Sequence, residues 1–180
     1  MRLPAVLALL LAAPLASAQQ SEVFVRQAEA AIGASAQAVT GAQGAALALS
    51  AAALDAATDA NVAVVSQDGV GNEADLAQSG VGNRFGLVVV GNANEFALSQ
   101  LGDGNVFLGD VLGDANALEA GSVQEGDGNR YTLFLDGVSG QSHAIGQFGG
   151  GNEAVQTVGR GMRPASIVQR GGATVVVERR

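Results

Sequence analysis

The sequence predicts an all-β, cross-β solenoid with two strands in each coil. Two observations favour this fold class. Amide side chains recur about every eleven residues from Asn61 onward, and the residues between them alternate between apolar and polar, as in a half-buried strand. Glycines lie between the amides, where a tight turn needs them. We expect about five coils of about 22 residues each over residues 61–180.

Residues 1–18 have the pattern of a secretory signal peptide. Arg2 supplies the positive charge, residues 6–13 are apolar, and the Ala-Ser-Ala at 16–18 is a small-residue cleavage site. The alternative, an N-terminal membrane anchor, is disfavoured because the apolar run is too short to span a bilayer. We expect the mature chain to begin near Gln19 and to be secreted to the cell exterior.

Residues 19–60 are rich in alanine, the strongest helix former, and are interrupted by Gly33, Gly41 and Gly44. We interpret this stretch as a leader and secretion segment that is partly helical or disordered. The alternative is that part of it adds degenerate strands to the repeat that follows.

The composition disfavours several classes of function. The formal net charge is −8, and loss of Arg2 with the signal peptide makes it more negative, which argues against nucleic acid as a partner. No cysteine is present, so thiolate and disulfide chemistry are excluded. His143 is the only histidine, its phase points it inward, and alone it forms neither a transition-metal cage nor a catalytic triad. We expect neither enzyme activity nor a cofactor.

Two series of positions carry the amides. The first series opens each strand and contains Asn61, Asn72, Asn83, Asn94, Asn105, Asn116, Asn129, Gln141 and Asn152, with Arg163 and Thr174 continuing its phase without an amide. The second series closes each strand and contains Gln67, Gln78, Val89, Gln100, Val111, Gln124, Asp136, Gln147, Val158 and Gln169. Strands that close with Gln alternate with strands that close with Val. One coil therefore contains two of the eleven-residue units.

Stacking such coils in register places each inward amide next to the amide of the following coil. A primary amide donates on one side and accepts on the other, whereas a buried polar group without a partner costs about 1–3 kcal/mol. We therefore predict amide ladders that join the coils and support assembly, with small apolar side chains as a dry filling. The predicted turn glycines are Gly69, Gly80, Gly91, Gly102, Gly113, Gly126 and Gly149.

Acidic residues fall in the turns and on the outward faces of the strands. The turn acids are Asp68, Asp103, Asp114 and Asp127. Calcium binding by these turns is the alternative to simple solvation, but the calcium β-roll uses a nine-residue unit. The outward acids are Glu73, Asp75, Glu95, Asp110, Glu119 and Glu153, and we expect them to keep the flat faces from sticking too early.

The pattern formed by Gln67, Gly69, Asn72, Ala74 and Gln78 resembles the curlin repeat of curli subunits, the secreted functional amyloids of bacteria. The resemblance covers residues 61–180. It implies a subunit that leaves the cell through an outer-membrane pore and polymerises at the cell surface with itself and with other curlin-like subunits, for adhesion and biofilm. The Ala of the pattern recurs at Ala154 and Ala165 but is replaced at Phe85, Phe96, Phe107, Leu118, Tyr131 and His143.

Residues 159–180 form a basic final coil. Its arginines are Arg160, Arg163, Arg170, Arg179 and Arg180, and Pro164 suits an edge strand. This irregular coil resembles the nucleator-type minor curlin more than the major subunit, which implies attachment of the arginines to an anionic cell surface. The alternative is a charged cap that blocks edge-to-edge pairing.

A second function is compatible with the same repeats. A secreted monomeric β-solenoid adhesin would use its faces to bind a partner and would need a cap at both ends. Residues 61–72 continue the repeat and do not look like a cap. We therefore expect an open N-terminal end, which favours polymerisation.

Overall fold

The computed structural model describes residues 21–28 and 61–180. The predicted signal peptide and most of the segment 19–60 lie outside the described residues. Regular structure in the described residues consists of strands, arranged in two parallel sheets, which confirms the predicted β-solenoid. No helix long and apolar enough to cross a membrane is found within this part of the chain.

The strands follow the predicted alternation of strand and turn. In chain order they are β1 Ser21–Ala28, β2 Asn61–Asp68, β3 Glu73–Ser79, β4 Arg84–Val90, β5 Glu95–Leu101, β6 Val106–Leu112, β7 Ala117–Leu118, β8 Val123–Glu125, β9 Arg130–Asp136, β10 Ser142–His143, β11 Ile145–Phe148, β12 Glu153–Val158, β13 Ile167–Arg170 and β14 Thr174–Arg179. Sheet A has the order β1-β2-β4-β6-β9-β12-β14. Sheet B runs from β3 and β5 through the broken strands β7/β8 and β10/β11 to β13.

From β2 onward, with β7/β8 and β10/β11 each counted as one broken strand, the chain passes from one sheet to the other after every strand, so each coil adds one strand to each sheet. The pairing is parallel and in register, with Gln78 beside Gln100 and Phe85 beside Phe107. Adjacent coils are therefore about 4.8 Å apart along the axis of the solenoid. Like side chains meet like because two eleven-residue units of the sequence make up one coil.

The interior between the sheets is filled by the inward-facing residues of both. On sheet A, the rings of Phe85 and Phe107 stack with centroids 4.8 Å apart, and Tyr131 continues this column edge-on at 5.7 Å. Leu87 and Leu133 lie two residues further along their strands, at the next inward-facing position, and are fully buried. This packing follows from the period-two alternation, which turns every second side chain inward.

Insertions interrupt the strands of sheet B without displacing the register. β7 and β8 are separated by a turn in which Ser122 N donates to Glu119 O. The hydroxyl of Ser122 is buried and accepts from Ile145 N at 3.3 Å. In the next coil Ala144 N donates to Ser166 Oγ at 3.1 Å. Hydroxyls of neighbouring coils thus replace backbone acceptors where a strand is broken.

Two positions assigned from spacing alone were wrong by one residue. Leu135, not Asp136, pairs with Val111 and faces the interior, because the extra residue of this coil lies in the turn that follows the strand. The turn before β14 is one residue shorter than its equivalents. As a result the backbone N of Ala173, and not that of Thr174, donates to Oδ1 of Asn152 in the preceding coil.

The strand β1 differs from the preferred interpretation of residues 19–60 as helical or disordered. Ser21–Ala28 pairs residue by residue with β2, from Ser21 beside Asn61 to Ala28 beside Asp68. This stretch matches the alternative that the segment adds a strand to the solenoid. It also covers the edge of β2, and β2 is the one described partner of β1, so the N-terminal edge of sheet A is formed by β1 and not by β2.

Candidate assembly site: amide columns and strand edges

The glutamines that close the strands of sheet B form one continuous ladder. Each Nε2 donates to Oε1 of the next glutamine, at 2.8 Å from Gln78 to Gln100 and at 2.7 Å from Gln147 to Gln169. The members are Gln78, Gln100, Gln124, Gln147 and Gln169. The second proton of each Nε2 goes to a backbone carbonyl, for example from Gln100 to Arg84 O at 3.1 Å. The ladder therefore has one direction, with its acceptor end at Gln78.

The donor end of this ladder is closed by the chain itself. Gln169 Nε2 donates to Ala173 O at 2.6 Å and to Glu153 O at 2.8 Å. At the other end Gln78 is only half-buried, and no donor to its Oε1 is found among the described residues. The two ends of the solenoid are thus chemically different.

The asparagines that open the strands of sheet A bond mainly to the backbone of the next coil. Asn83 is typical: its Oδ1 accepts from Asn105 N at 3.0 Å, and its Nδ2 donates to Gly102 O at 2.7 Å. The column contains Asn61, Asn83, Asn105, Asn129 and Asn152. Side chain-to-side chain bonds also occur, as from Asn105 to Asn83. The predicted ladders consisted of such bonds, whereas most partners of these asparagines are backbone groups of the neighbouring coil.

A second asparagine column opens the strands of sheet B. Asn72, Asn94 and Asn116 bond in the same way, with Asn94 Nδ2 donating to Gly113 O at 2.8 Å. Gln141 occupies the next position but does not extend the column through its side chain. Its Nε2 donates to Ser139 O at 3.3 Å, and its backbone N lies 3.4 Å from Asn116 Oδ1. The longer side chain turns back to its own turn.

Gln67 lies apart from the glutamine ladder. It is buried in sheet A and pairs with Val89, at the head of a column that continues with Val111, Leu135 and Val158. Within the described part of sheet A, an amide at this level recurs only at Gln27 of β1, which pairs with Gln67.

The predicted turn glycines have positive φ, and one position shows why. Gly80 has φ of 110°, and a Cβ there would overlap the carbonyl oxygen of Gly102 in the next coil. The other six are Gly69, Gly91, Gly102, Gly113, Gly126 and Gly149. The turns therefore stack backbone on backbone, as close as the strands do.

Three of the turn acids bind backbone amides of the preceding coil. Asp103 Oδ1 accepts from Val81 N at 2.8 Å, and Asp127 Oδ1 accepts from Asp103 N at 2.9 Å. On the opposite side Asp114 Oδ1 accepts from Asn92 N at 2.6 Å. These carboxylates cap backbone donors that the turns leave unpaired. Asp68, predicted as a turn acid, is instead the last residue of β2, where it pairs with Val90.

The outward acids lie on both sheets. Glu73 and Glu95 stack directly on sheet B, where Asp75 is also exposed. Asp110 faces outward on sheet A but is half-buried, and burial and, secondarily, the neighbouring Asp136 raise the pKa of its carboxyl. Glu119 and Glu153 are exposed. Sheet A also carries outward apolar side chains, including the exposed Phe134 and Val176.

His143 and Tyr131 are buried polar groups inside one coil. Neither His143 nitrogen nor the Tyr131 hydroxyl has a hydrogen-bond partner of ordinary geometry. Burial lowers the pKa of His143 to about 4, against the opposing effects of the Glu119 carboxylate and the backbone of Ala117. Burial raises the pKa of Tyr131. Both positions are filled by packing residues in the neighbouring coils, Leu118 beside His143 and Phe107 beside Tyr131.

Gln156 belongs to neither amide series of the sequence and was not predicted as a site residue. This residue is fully buried in sheet A, between Leu133 and Val177. With its amide oriented to satisfy both atoms, Nε2 donates to Ala165 O at 3.0 Å and the side-chain oxygen accepts from Ala165 N at 3.2 Å. It holds the irregular segment before β13 across the interior. The sequence signal that could have identified Gln156 is its position, since it is an amide that lies outside both repeating series.

The C-terminal coil ends in two strand edges flanked by arginines. β14 pairs with β12 and β13 pairs with β11, and no second partner of either strand is found among the described strands. Arg160, Arg163, Arg170, Arg179 and Arg180 are all exposed. Arg170 lies over the ring of Phe148 at 5.0 Å, Arg179 donates to Arg163 O at 2.9 Å, and Arg180 pairs with Glu178. At the N-terminal end, β3 has β5 as its one described partner.

Comparison with protein-family models, with curated proteins and with solved structures finds no match to this chain. The class of protein that the fold defines is a parallel two-sheet β-solenoid of about five 22-residue coils, with internal amide columns. The likeness to the curlin repeat stands on the residues of the repeat alone.

Proposed function

We propose that this protein is a secreted, curli-like functional amyloid subunit that assembles at the cell surface for adhesion and biofilm formation. The observation that carries the proposal is the set of in-register columns that run through the whole solenoid and end at strands with one described neighbour. A parallel stack with identical side chains in contact is the arrangement that cross-β assemblies extend from chain to chain.

The chemistry of the columns supports growth at the ends. Each added coil gains backbone bonds, one glutamine bond and one or two asparagine bonds, while an exposed edge leaves those groups to water. The incomplete burial of the interior apolar side chains of β3 also supports growth at the ends. Ala74 and Leu76 are half-buried, whereas Phe96 and Leu98 of the next coil are buried. A strand added to β3 would cover them.

Assembly of the purified protein at neutral pH tests the proposal. We expect thioflavin binding and fibre diffraction with a meridional reflection near about 4.8 Å. The matched variant pair is Gln78→Ala with Asn83→Ala, which removes amides near the growing end and should lengthen the lag. Protein that stays monomeric for days, with the variant changing only the melting temperature, would favour the monomeric adhesin instead.

The arginine-rich coil supports a minor, nucleator-type role within this proposal. A trace of the protein should shorten the lag of a curlin-like major subunit, and a version ending at Val158 should not. Binding of the full chain, but not of the shortened one, to anionic vesicles would support surface attachment. If the shortened version instead assembles faster, the arginines act as a cap on the edge.

A further inference from the structure

We propose that successive copies of this chain stack end to end with a half turn about the solenoid axis, so that β13 of one copy pairs with β1 of the next. This inference deepens the proposed self-assembly and rests on it. The partner is a second copy of the chain, and the contact is a continuation of the parallel sheets.

The half turn follows from the parity of the strands. The first described strand, β1, and the last, β14, both belong to sheet A. Along the solenoid the strands alternate between the two sheets, so the strand after β14 must lie on the side of sheet B. The first described strand of the next copy belongs to sheet A, and only a half turn brings that strand to the required side.

Stacking without the half turn leaves a hole. β14 would then pair with β1 of the next copy, and β13 would lie about 14 Å from β3 of that copy, three strand spacings away. The described strands would leave two positions of sheet B empty beside an apolar interior. With the half turn, β13 and β1 become neighbours, and the described strands leave one position empty, between β14 and β3.

The cross-section of the solenoid permits the half turn. In both sheets an asparagine opens the strand and the closing position follows six residues later, as in Asn61 to Gln67 and in Asn94 to Gln100. Two such units make one coil, so the coil is nearly two-fold symmetric about the axis. A copy rotated by half a turn presents the same positions to the same columns.

The half turn also brings glutamines of two copies to the same level along the strands. It places the glutamine ladder of one copy, which ends at Gln169, in line with the level of Gln27 and Gln67 in the next. The ladder then continues across the junction when the bond from Gln169 Nε2 to Ala173 O is exchanged. Without the half turn this ladder meets no glutamine at the junction.

Charge favours end-to-end stacking over contact between two C-terminal ends. Residues 159–180 contain five Arg and one Glu, a net charge of +4. Residues 61–158 contain two Arg and twelve acidic residues, a net charge of −10. Two basic coils repel each other, whereas a basic coil and the acidic body of another copy attract.

Introduced cysteines test the orientation directly, because the sequence contains none. Val168, next to Gln169, is exposed on β13, and Arg26 occupies the corresponding position of β1. With the half turn their Cα atoms are about 4.8 Å apart, within disulfide range. The matched control is Phe24→Cys with Val176→Cys, because Phe24 and Val176 belong to one column of sheet A and meet only without the half turn.

Under oxidation, fibres of Arg26→Cys with Val168→Cys should yield covalent ladders of two, three and more chains. Fibres of the control pair, and unassembled protein of either kind, should stay uncrosslinked. Covalent ladders from the control pair would overturn the half turn. Well-formed fibres in which neither pair gives covalent ladders would overturn it as well. Absence of fibres even from the unmodified protein would instead overturn the proposed function.

Fibres of the unmodified protein provide a second measurement that does not depend on substitution. The helical symmetry from electron microscopy should show a twist near 180° per chain and a rise of about 31 Å, since six and a half strand spacings separate successive copies. A twist near zero with a rise of about 34 Å, seven spacings, would show stacking of sheet A on sheet A and would overturn the inference.

Discussion

Gln124 donates through Nε2 to Oε1 of Gln147 at 2.8 Å, and both side chains are completely buried. The same Nε2 donates to Val106 O at 3.0 Å, and Gln124 Oε1 accepts from Gln100. One side chain thus joins three consecutive coils and both sheets. Its removal affects groups above and below it, so the position of an amide in the ladder determines what its loss costs.

The first prediction compares Gln124→Leu with Gln78→Leu. Loss of Gln124 leaves a buried donor on Gln100 and a buried acceptor on Gln147, each costing about 1–3 kcal/mol, so we expect a loss of about 2–6 kcal/mol. Gln78 is half-buried at the end of the ladder, and its loss removes the donor to Gln100 Oε1 and to Val62 O but leaves no ladder donor without an acceptor, so its loss should cost clearly less. Urea unfolding of freshly dissolved protein measures both. Equal losses would show that the ladder does not stabilise the coils.

The second prediction uses two glycines of one turn, Gly102 and Gly104. Both have positive φ, at 108° and 66°. A Cβ on Gly102 would overlap the carbonyl of Gly126, whereas a Cβ on Gly104 meets nothing within 4 Å. Gly104→Ala should cost about 1 kcal/mol for the left-handed backbone, and Gly102→Ala at least about 2 kcal/mol more because the coils must separate.

Thermal melts of the two single variants check this difference. The chain already contains alanine at the less crowded position on the other side of the solenoid, where Ala93 has φ of 54° and Ala115 of 53°. If Gly104→Ala proves as damaging as Gly102→Ala, backbone strain and not the spacing between coils limits the turn.

The period of the sequence was enough to predict the solenoid, its coil length and most of its columns. Those predictions held because stacking in register requires a whole number of repeats in each coil. Two eleven-residue units provide one strand for each sheet and return the chain to its starting position. Spacing failed where turns change length, at Asp136 and Thr174, since a residue count does not say whether an insertion lies in a strand or in a turn. Only the inward apolar Leu135, next to Asp136, carried a usable signal.

Other features depended on contacts that a pattern does not contain. Ser21–Ala28 pairs with β2 although 32 residues separate the two strands, and its alanine-rich surroundings hid it. The asparagines bond mostly to the backbone of the next coil, which requires the geometry of the stacked turns. Gln141 matches the sequence position of an amide column, but its longer side chain bonds to Ser139.

The third prediction concerns acid. His143 is neutral in the folded chain, with a pKa of about 4 against an ordinary 6.5, so the unfolded chain binds a proton first as the pH falls. The free energy of unfolding should therefore drop as the pH falls from about 6.5 to about 4, by roughly 3 kcal/mol in total, and His143 should add no further loss below that range.

His143→Leu isolates this effect, because Leu118 fills the adjacent position of the same column. Urea midpoints near pH 7.5 and near pH 4.5 should differ less in the variant than in the unmodified protein, while carboxylates contribute the same background to both. The same drop in both proteins would assign the acid sensitivity to carboxylates alone.

The fourth prediction concerns Gln156, whose amide bonds to both backbone atoms of Ala165. Gln156→Leu fits an apolar column with Leu133 and Val177 on either side, so the global free energy of unfolding should change by less than about 1.5 kcal/mol. The backbone amide of Ala165, however, loses its acceptor. Its hydrogen exchange should accelerate at least about tenfold, equivalent to about 1.4 kcal/mol.

Hydrogen exchange followed by mass spectrometry or by NMR distinguishes this local effect from general loosening. The amide of Ala117, which donates to Gln141 O at 2.8 Å two coils before β13, serves as the internal control and should keep its protection. Because Gln156 acts across the interior and not along a column, its loss should release only the segment before β13. Acceleration at both amides would mean that Gln156 supports the whole solenoid, and unchanged exchange at Ala165 would mean that the segment is held by its own packing.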